Sequence, residues 1–189
     1  MGRTYETIDE KLRAFVEAQP VFFIATAPLD AGGHVNCSPK GNRGNFAVLG
    51  PNRVGFQDLT GSGIETISHV RENGRIVIMF CAFDGPPRIV RFRGHGEIVE
   101  TSDAGFTRLA THFPEEPGIR ALVVVDVDHI TDSCGYGVPI MPFDHHRPNM
   151  DHWTDTKGPE GLASYRAANN ATSIDGLPGL TSGAPASAS

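Results

Sequence analysis

With 189 residues and 39% hydrophobic side chains, the chain is long enough to bury the core of one ordinary domain. Sixteen Lys and Arg against 22 Asp and Glu give a formal charge of -6, and the basic residues are scattered without a stripe, which excludes nucleic acid as the expected partner. The sequence has no apolar run of the roughly 18 residues that a spanning helix needs, and MGRTYETIDEKLR lacks the apolar centre of a signal peptide, so no membrane partner and a cytoplasmic location are expected.

Thr7-Ile8-Asp9-Glu10 reads as a capping box that opens an amphipathic helix from about Ile8 to Ala18, with Leu12, Phe15 and Val16 as its apolar stripe. VFFIATA (Val21 to Ala27) reads as a buried strand, DAGG as a turn, and His34 to Ser38 as a second strand. FAVLG and RVGFQD form a hairpin across Pro51-Asn52. Ser62-Gly63-Ile64-Glu65 is a second capping box, starting a helix that runs to about Glu72 and stops at Asn73-Gly74. RIVIMFCAF is a strongly apolar strand, and IVRFRGHGEIVE a half-buried one with glycine bends at Gly94 and Gly96. Ser102 caps a short helix ending near Phe113, and LVVVDVDHI (Leu122 to Ile130) is the last clear strand. Gly135 to Asp155 reads as irregular, and Pro159 as the start of a final helix. Many closely spaced strands with short helices between them predict a mainly β fold of barrel type with peripheral helices, not a βαβ sheet. Residues 1–180 are expected to form a single domain, and TSGAPASAS (Thr181 to Ser189) a flexible tail.

Two polar motifs lie in this frame, VNCSPKG (Val35 to Gly41) and FQDLTGSG (Phe56 to Gly63), and neither is needed to build a core. They read as neighbouring strands presenting a lysine, hydroxyls, amides and a glycine-rich helix start to one ligand. Amides at a helix N-terminus carry partial positive charge and bind phosphate, and the glycines allow close backbone approach. A plain capped helix start would look the same from this motif alone. Glu65, capping that helix, would compete with a phosphate, which turns attention to Lys40 and Arg43 as neutralising cations. Pro39 fixes its own φ and biases Ser38 towards an extended backbone, holding Lys40 at a strand end.

Other polar groups are set aside. Cys37, Cys81 and Cys134 are odd in number and widely spaced, so neither a disulfide framework nor a thiolate zinc site is expected. His145, His146 and His152 match no zinc spacing and read as surface histidines of a loop, so no metal is assigned. His69, mid-helix, reads as structural or solvent-exposed.

The order helix, VFFIATA, VNCSPKG, hairpin ending in FQDLTGSG, helix, RIVIMFCAF, RFRGHGEIV resembles the pyridoxamine 5'-phosphate oxidase-like flavin-binding proteins. SCGYGVP, KGPEGLASY and SIDGLPG resemble the C-terminal part of one bacterial branch of them, of unassigned substrate. The resemblance implies an FMN-binding split β-barrel, a homodimer with flavin at the subunit interface, and an FMN-dependent oxidoreductase acting on a small-molecule substrate. It places Val35, Asn36, Cys37, Ser38 and Lys40 along the flavin. Gln57 and Asp58 then follow at the second strand end, and Thr60, Gly61 and Ser62 at the phosphate. The family's Arg-Lys pair in that turn is replaced here by Gly63 and Ile64, which leaves the phosphate to amides, hydroxyls and Lys40, Arg43 or Arg91. That departure keeps a deazaflavin open as the alternative cofactor. The rival readings are a non-catalytic flavin- or haem-binding or sensing barrel, a deazaflavin-dependent reductase, and, more weakly, a metal-dependent enzyme using the histidine cluster. Trp153 is a residue that could stack on a partner subunit's flavin or fill a small satellite core.

Overall fold

Alternation of apolar and polar side chains decides most of the architecture. The computed structural model describes residues 2–181. In chain order the elements are β1 (Thr4–Tyr5), α1 (Glu10–Glu17), β2 (Val21–Thr26), β3 (Asn36–Gly41), β4 (Phe46–Gly50), β5 (Arg53–Leu59), α2 (Glu65–Asn73), β6 (Arg75–Cys81), β7 (Ile89–Glu100), α3 (Phe106–Ala110), β8 (Ile119–Ser133) and α4 (Asn149–Asn169). In β2 every second residue (Phe22, Ile24, Thr26) is buried, as a strand with one face on a core requires. All pairings are antiparallel, in the order β3-β2-β6-β7-β8-β5-β4, with β1 beside β8.

The sheet curls so that its two ends face each other without pairing. Phe22 of β2 meets Phe46 of β4 at 5.4 Å between ring centroids, and Phe56 of β5 and Phe80 of β6 at 5.7 Å. These rings pack in tilted, edge-on and stacked arrangements that aromatic quadrupoles favour. One cluster, Leu12 and Val16 of α1 with Phe22, Phe46, Phe56, Phe80, Phe92 and Val125, fills the interior. The result is the expected mainly β split barrel, open between β3 and β4. No helix among the described residues is long and apolar enough to cross a membrane.

Several expectations are corrected. β3 and β5 are not ladder neighbours; β2, β6, β7 and β8 lie between them, and curvature alone brings them together. The first helix is capped by Asp9, whose Oδ1 accepts from the Leu12 amide at 2.8 Å, and begins at Glu10. The second capping box does not form: Ile64 occupies the N-cap without a side-chain bond, and Glu65 Oε1 accepts from the Ile174 amide at 3.3 Å. Tertiary contact with the C-terminal segment has overridden the local signal. Gly74 ends α2 at φ 73, with its amide on Val70 O, as the Asn-Gly signal predicted. α3 has Gly105, not Ser102, at its N-cap. The region read as irregular becomes helical at Asn149, and α4 breaks at Gly158 (φ 60, ψ 175), where Pro159 opens its second half. A bulge falls between Arg93 and Gly94, and a Cβ at Gly94 would lie 2.0 Å from Asp126 O, so only glycine fits that approach.

The SIDGLPG segment folds back along α2. Gly179 N bonds Ala171 O at 2.8 Å, Arg71 reaches Gly179 O, and the Thr181 amide and hydroxyl both donate to Glu100 Oε1 at 2.7 Å. Thr181 is thus fastened, while residues 182–189 of the tail lie outside the described residues.

Candidate functional site

Barrel curvature puts the two polar motifs on one cavity. Along β3 the side chains alternate, so Asn36, Ser38 and Lys40 are half-buried, whereas Cys37, Pro39 and Gly41 are exposed. Lys40 Nζ reaches across to Asp58 Oδ1 of β5 at 2.7 Å. Asp58 is fully buried, and its other oxygen accepts from Arg120 Nε of β8 at 2.7 Å. Burial works to raise the Asp58 carboxyl, but the Lys40 ammonium and the Arg120 guanidinium outweigh it and hold the pKa below the ordinary value of 3.8.

A cavity of about 770 Å³ lies above this pair. Ser38, Lys40, Gln57, Thr60 and Gly61 line it, and of the sequence-assigned residues these five are the ones it brings together. Asn36 sits one step behind. Ser38 Oγ donates to Asn36 Oδ1 at 2.9 Å, and Asn36 Nδ2 donates to Thr26 Oγ1 and Thr66 Oγ1 at 3.1 and 3.0 Å. Thr26 in turn lies 3.0 Å from Nδ1 of His69. His69 is fully buried, not solvent-exposed, and burial shifts its pKa downward from the ordinary 6.5, against the opposing pull of Asp175, Glu65 and Glu72. Val35 is 75% exposed and, like Cys37, Asp58 and Ser62, does not line the cavity. Arg91 is also absent from its wall; its guanidinium donates to Ser133 Oγ at 3.1 Å.

Polar capacity in this wall is incompletely used. Gln57 Nε2 donates to Pro114 O at 2.8 Å, but Gln57 Oε1 and Asn45 Oδ1 are buried without a partner among the described residues. Buried acceptors are normally satisfied, so these two call for a donor-bearing ligand or for ordered water. In the turn after β5 the Thr60 amide bonds Gly118 O at 2.8 Å, whereas the Gly61, Ser62 and Gly63 amides meet no acceptor among the described residues.

The rim comes from the chain's own C-terminal region. Phe143, His145, His146, Arg147 and Met150 line the cavity. Arg43 also lines the cavity and is bound to Asp151 by two bonds of 2.8 and 2.9 Å, so it tethers this region. Trp153 packs edge-on against Tyr165 at 5.1 Å with Lys157 beside both rings. No group of three or more His, Cys, Asp or Glu among the described residues could hold a metal, so the histidine cluster is not gathered into a ligand set.

Two cations placed behind the turn were missed from sequence, Arg120 and Arg166. Arg120 is 4% exposed, and Arg166 Nε of α4 donates to Thr60 Oγ1 at 2.8 Å. The available signal was a lone arginine in the apolar run of β8, since a charge buried in a strand needs partners.

Fold and site together define a split β-barrel with a glycine-containing turn, its amides unpaired among the described residues, at the edge of a cavity lined in part by polar side chains. The chain matches the pyridoxamine 5'-phosphate oxidase family over residues 8–134. A curated relative, the pyridoxamine 5'-phosphate oxidase family protein ustO of Aspergillus flavus, is 38% identical, covering 94% of this chain and 78% of its own. The chain therefore belongs to the pyridoxamine 5'-phosphate oxidase family. Among solved structures, HupZ of Group A Streptococcus superposes with a TM-score of 0.50 at 22% identity, over 65% of this chain and 91% of its own. A single-site variant of HupZ gives 0.52 at 22% identity, over 67% and 99%. These likenesses concern the fold.

Proposed function

We propose that the chain is an FMN-dependent oxidoreductase of this family, working as a homodimer on a small-molecule substrate. The observation that carries the reading is the convergence, on one cavity, of Gly61 and Gly63 of a turn whose amides are unpaired among the described residues, Lys40, and two unsatisfied buried acceptors, Gln57 Oε1 and Asn45 Oδ1. That donor and acceptor set suits a ligand with a phosphate at one end and N–H and hydroxyl donors along its length. Gly61 supports it, because a Cβ there would be about 4.0 Å from its nearest neighbour, so the turn is open to close approach at Gly61, whereas at Gly63 a Cβ would meet Glu65 Oε2 at 2.8 Å.

In this reading Gly61, Ser62 and Gly63 hold the phosphate through their amides, and Lys40 adds positive charge. Ser38 is fixed by Asn36, so its donor is spent internally and its oxygen remains an acceptor. Val35, Asn36, Cys37 and Asp58 act by shaping β3 and β5, and Arg91 has no place at the cavity of one chain. Bound FMN would supply the hydride or electron transfer, and the protein binding, orientation and electrostatics. Phe143, His146 and Met150 would exclude water from the rim.

The purified protein, loaded with FMN, is expected to show a flavin spectrum that bleaches with a reduced nicotinamide and recovers in air. A bound flavin that no donor reduces would favour the non-catalytic binding barrel. A protein that takes up deazaflavin in place of FMN would favour the deazaflavin reductase.

A further inference from the structure

The turn at Gly61 to Gly63 lacks cations of its own, yet its conformation is set by cations behind it. β8 carries a bulge here: Asp58 pairs with Ala121 and Leu59 with Ile119, which leaves Arg120 as the extra residue. Such a residue is re-aimed relative to its neighbours. Arg120 accordingly points into the protein, with Nε on Asp58 Oδ2 at 2.7 Å, Nη2 on Gly63 O at 2.7 Å and Nη1 on Gly61 O at 3.3 Å. Asn170 Nδ2 takes Gly61 O as well, at 2.9 Å. Arg166 holds Thr60 Oγ1 and also donates to Ile119 O at 2.8 Å. The turn's carbonyls are thereby drawn inward, and its Gly61, Ser62 and Gly63 amides are left without internal acceptors.

The charge balance points the same way. Lys40 and Arg120 share a single carboxylate, Asp58, while Arg166 beside them bonds Thr60 Oγ1 and backbone carbonyls and forms no ion pair among the described residues. Glu65 and Glu116 also line the cavity, but their carboxylates accept from the Ile174 and Gly118 amides, and neither forms an ion pair with these cations among the described residues. One carboxylate therefore links the lysine on the cavity side to the arginine behind the turn.

We infer that Arg120 is a positioning residue that converts the Gly61–Gly63 turn into a selective site for a phosphate monoester, acting through the turn's carbonyls and never touching the ligand. This rests on the reading of the cavity as a phosphate-bearing cofactor site. It goes further in assigning phosphate selectivity to a guanidinium fork behind the backbone instead of to cations beside the ligand. Lysine keeps the charge but cannot serve Asp58 and two carbonyls at once.

The test is a titration of the whole isotope-labelled chain with inorganic phosphate, followed at the Gly61, Ser62 and Gly63 amides, in wild type and R120K. FMN and riboflavin affinities are measured on the same samples. In wild type the three amides shift saturably with phosphate, and FMN binds at least about tenfold more tightly than riboflavin, a 1.4 kcal/mol preference. In R120K, checked for native fold by circular dichroism, the phosphate response weakens about tenfold and the FMN preference falls by a similar factor, with riboflavin affinity nearly unchanged. A folded R120K that keeps both the phosphate response and the preference overturns the inference. So does a wild type whose three amides ignore phosphate, whatever the variant does. A wild type whose amides respond to phosphate but which binds no flavin refutes the flavin reading and leaves the role of Arg120 standing.

Discussion

Replacing Asp58 by asparagine is expected to lower folding stability by about 3–5 kcal/mol, the cost typical of removing one partner from a buried ion pair. Asp58 is wholly buried and, among the described residues, is the only carboxylate on both Lys40 and Arg120. Asparagine can still accept from one donor, but Arg120 at 4% exposure cannot turn to water to recover its hydration. Chemical denaturation at fixed protein concentration measures the loss as a lower midpoint with an unchanged slope. The same carboxylate sets part of the acid limit. Its folded pKa lies below the ordinary 3.8, so its contribution is present in full above that value and is lost as pH falls through the folded pKa. Wild type should therefore lose stability progressively below about pH 4, and D58N should lose less over that window.

Phe22→Ala is expected to cost about 3–5 kcal/mol, because the cavity it leaves cannot collapse across four strands. The Phe22 ring touches Phe46, Phe56 and Phe80, so it links β2 to β4, β5 and β6 across the open seam of the barrel. Loss of this contact should also loosen the approach of β3 to β5. Ligand affinity should accordingly fall along with thermal stability, even though Phe22 lines no part of the cavity. Denaturant unfolding and a ligand titration on the same variant check both effects.

Much of the fold was legible because each strand carries its own signal. VFFIAT forms the strand that its β-branched and aromatic residues predict, with alternate positions buried and half-buried, and Asn73-Gly74 ends α2 where a left-handed glycine belongs. What local pattern could not show is closure. Lys40 and Asp58 are 18 residues apart in sequence, and four strands lie between theirs in the ladder, so only barrel curvature makes them a pair. The capping box at Ser62 failed for a related reason: Gly61 and Gly63 carbonyls are claimed by Arg120, and Glu65 by the Ile174 amide, all from distant segments. Arg120 itself was hidden because a one-residue bulge decides which way it faces, and the bulge depends on the β5 partner. The rim at Phe143 to Met150 likewise depends on a distant pair, Arg43 with Asp151, that no local pattern shows.

Titration of the purified protein with FMN, followed by flavin absorbance and fluorescence, tests the flavin site most directly. Saturable binding of one FMN per chain is expected, with a dissociation constant of about 1 μM or tighter, corresponding to about -8 kcal/mol or better. Lys40→Ala should weaken it. Failure of the wild-type protein to perturb the spectrum of either FMN or a deazaflavin would contradict a flavin site in this cavity.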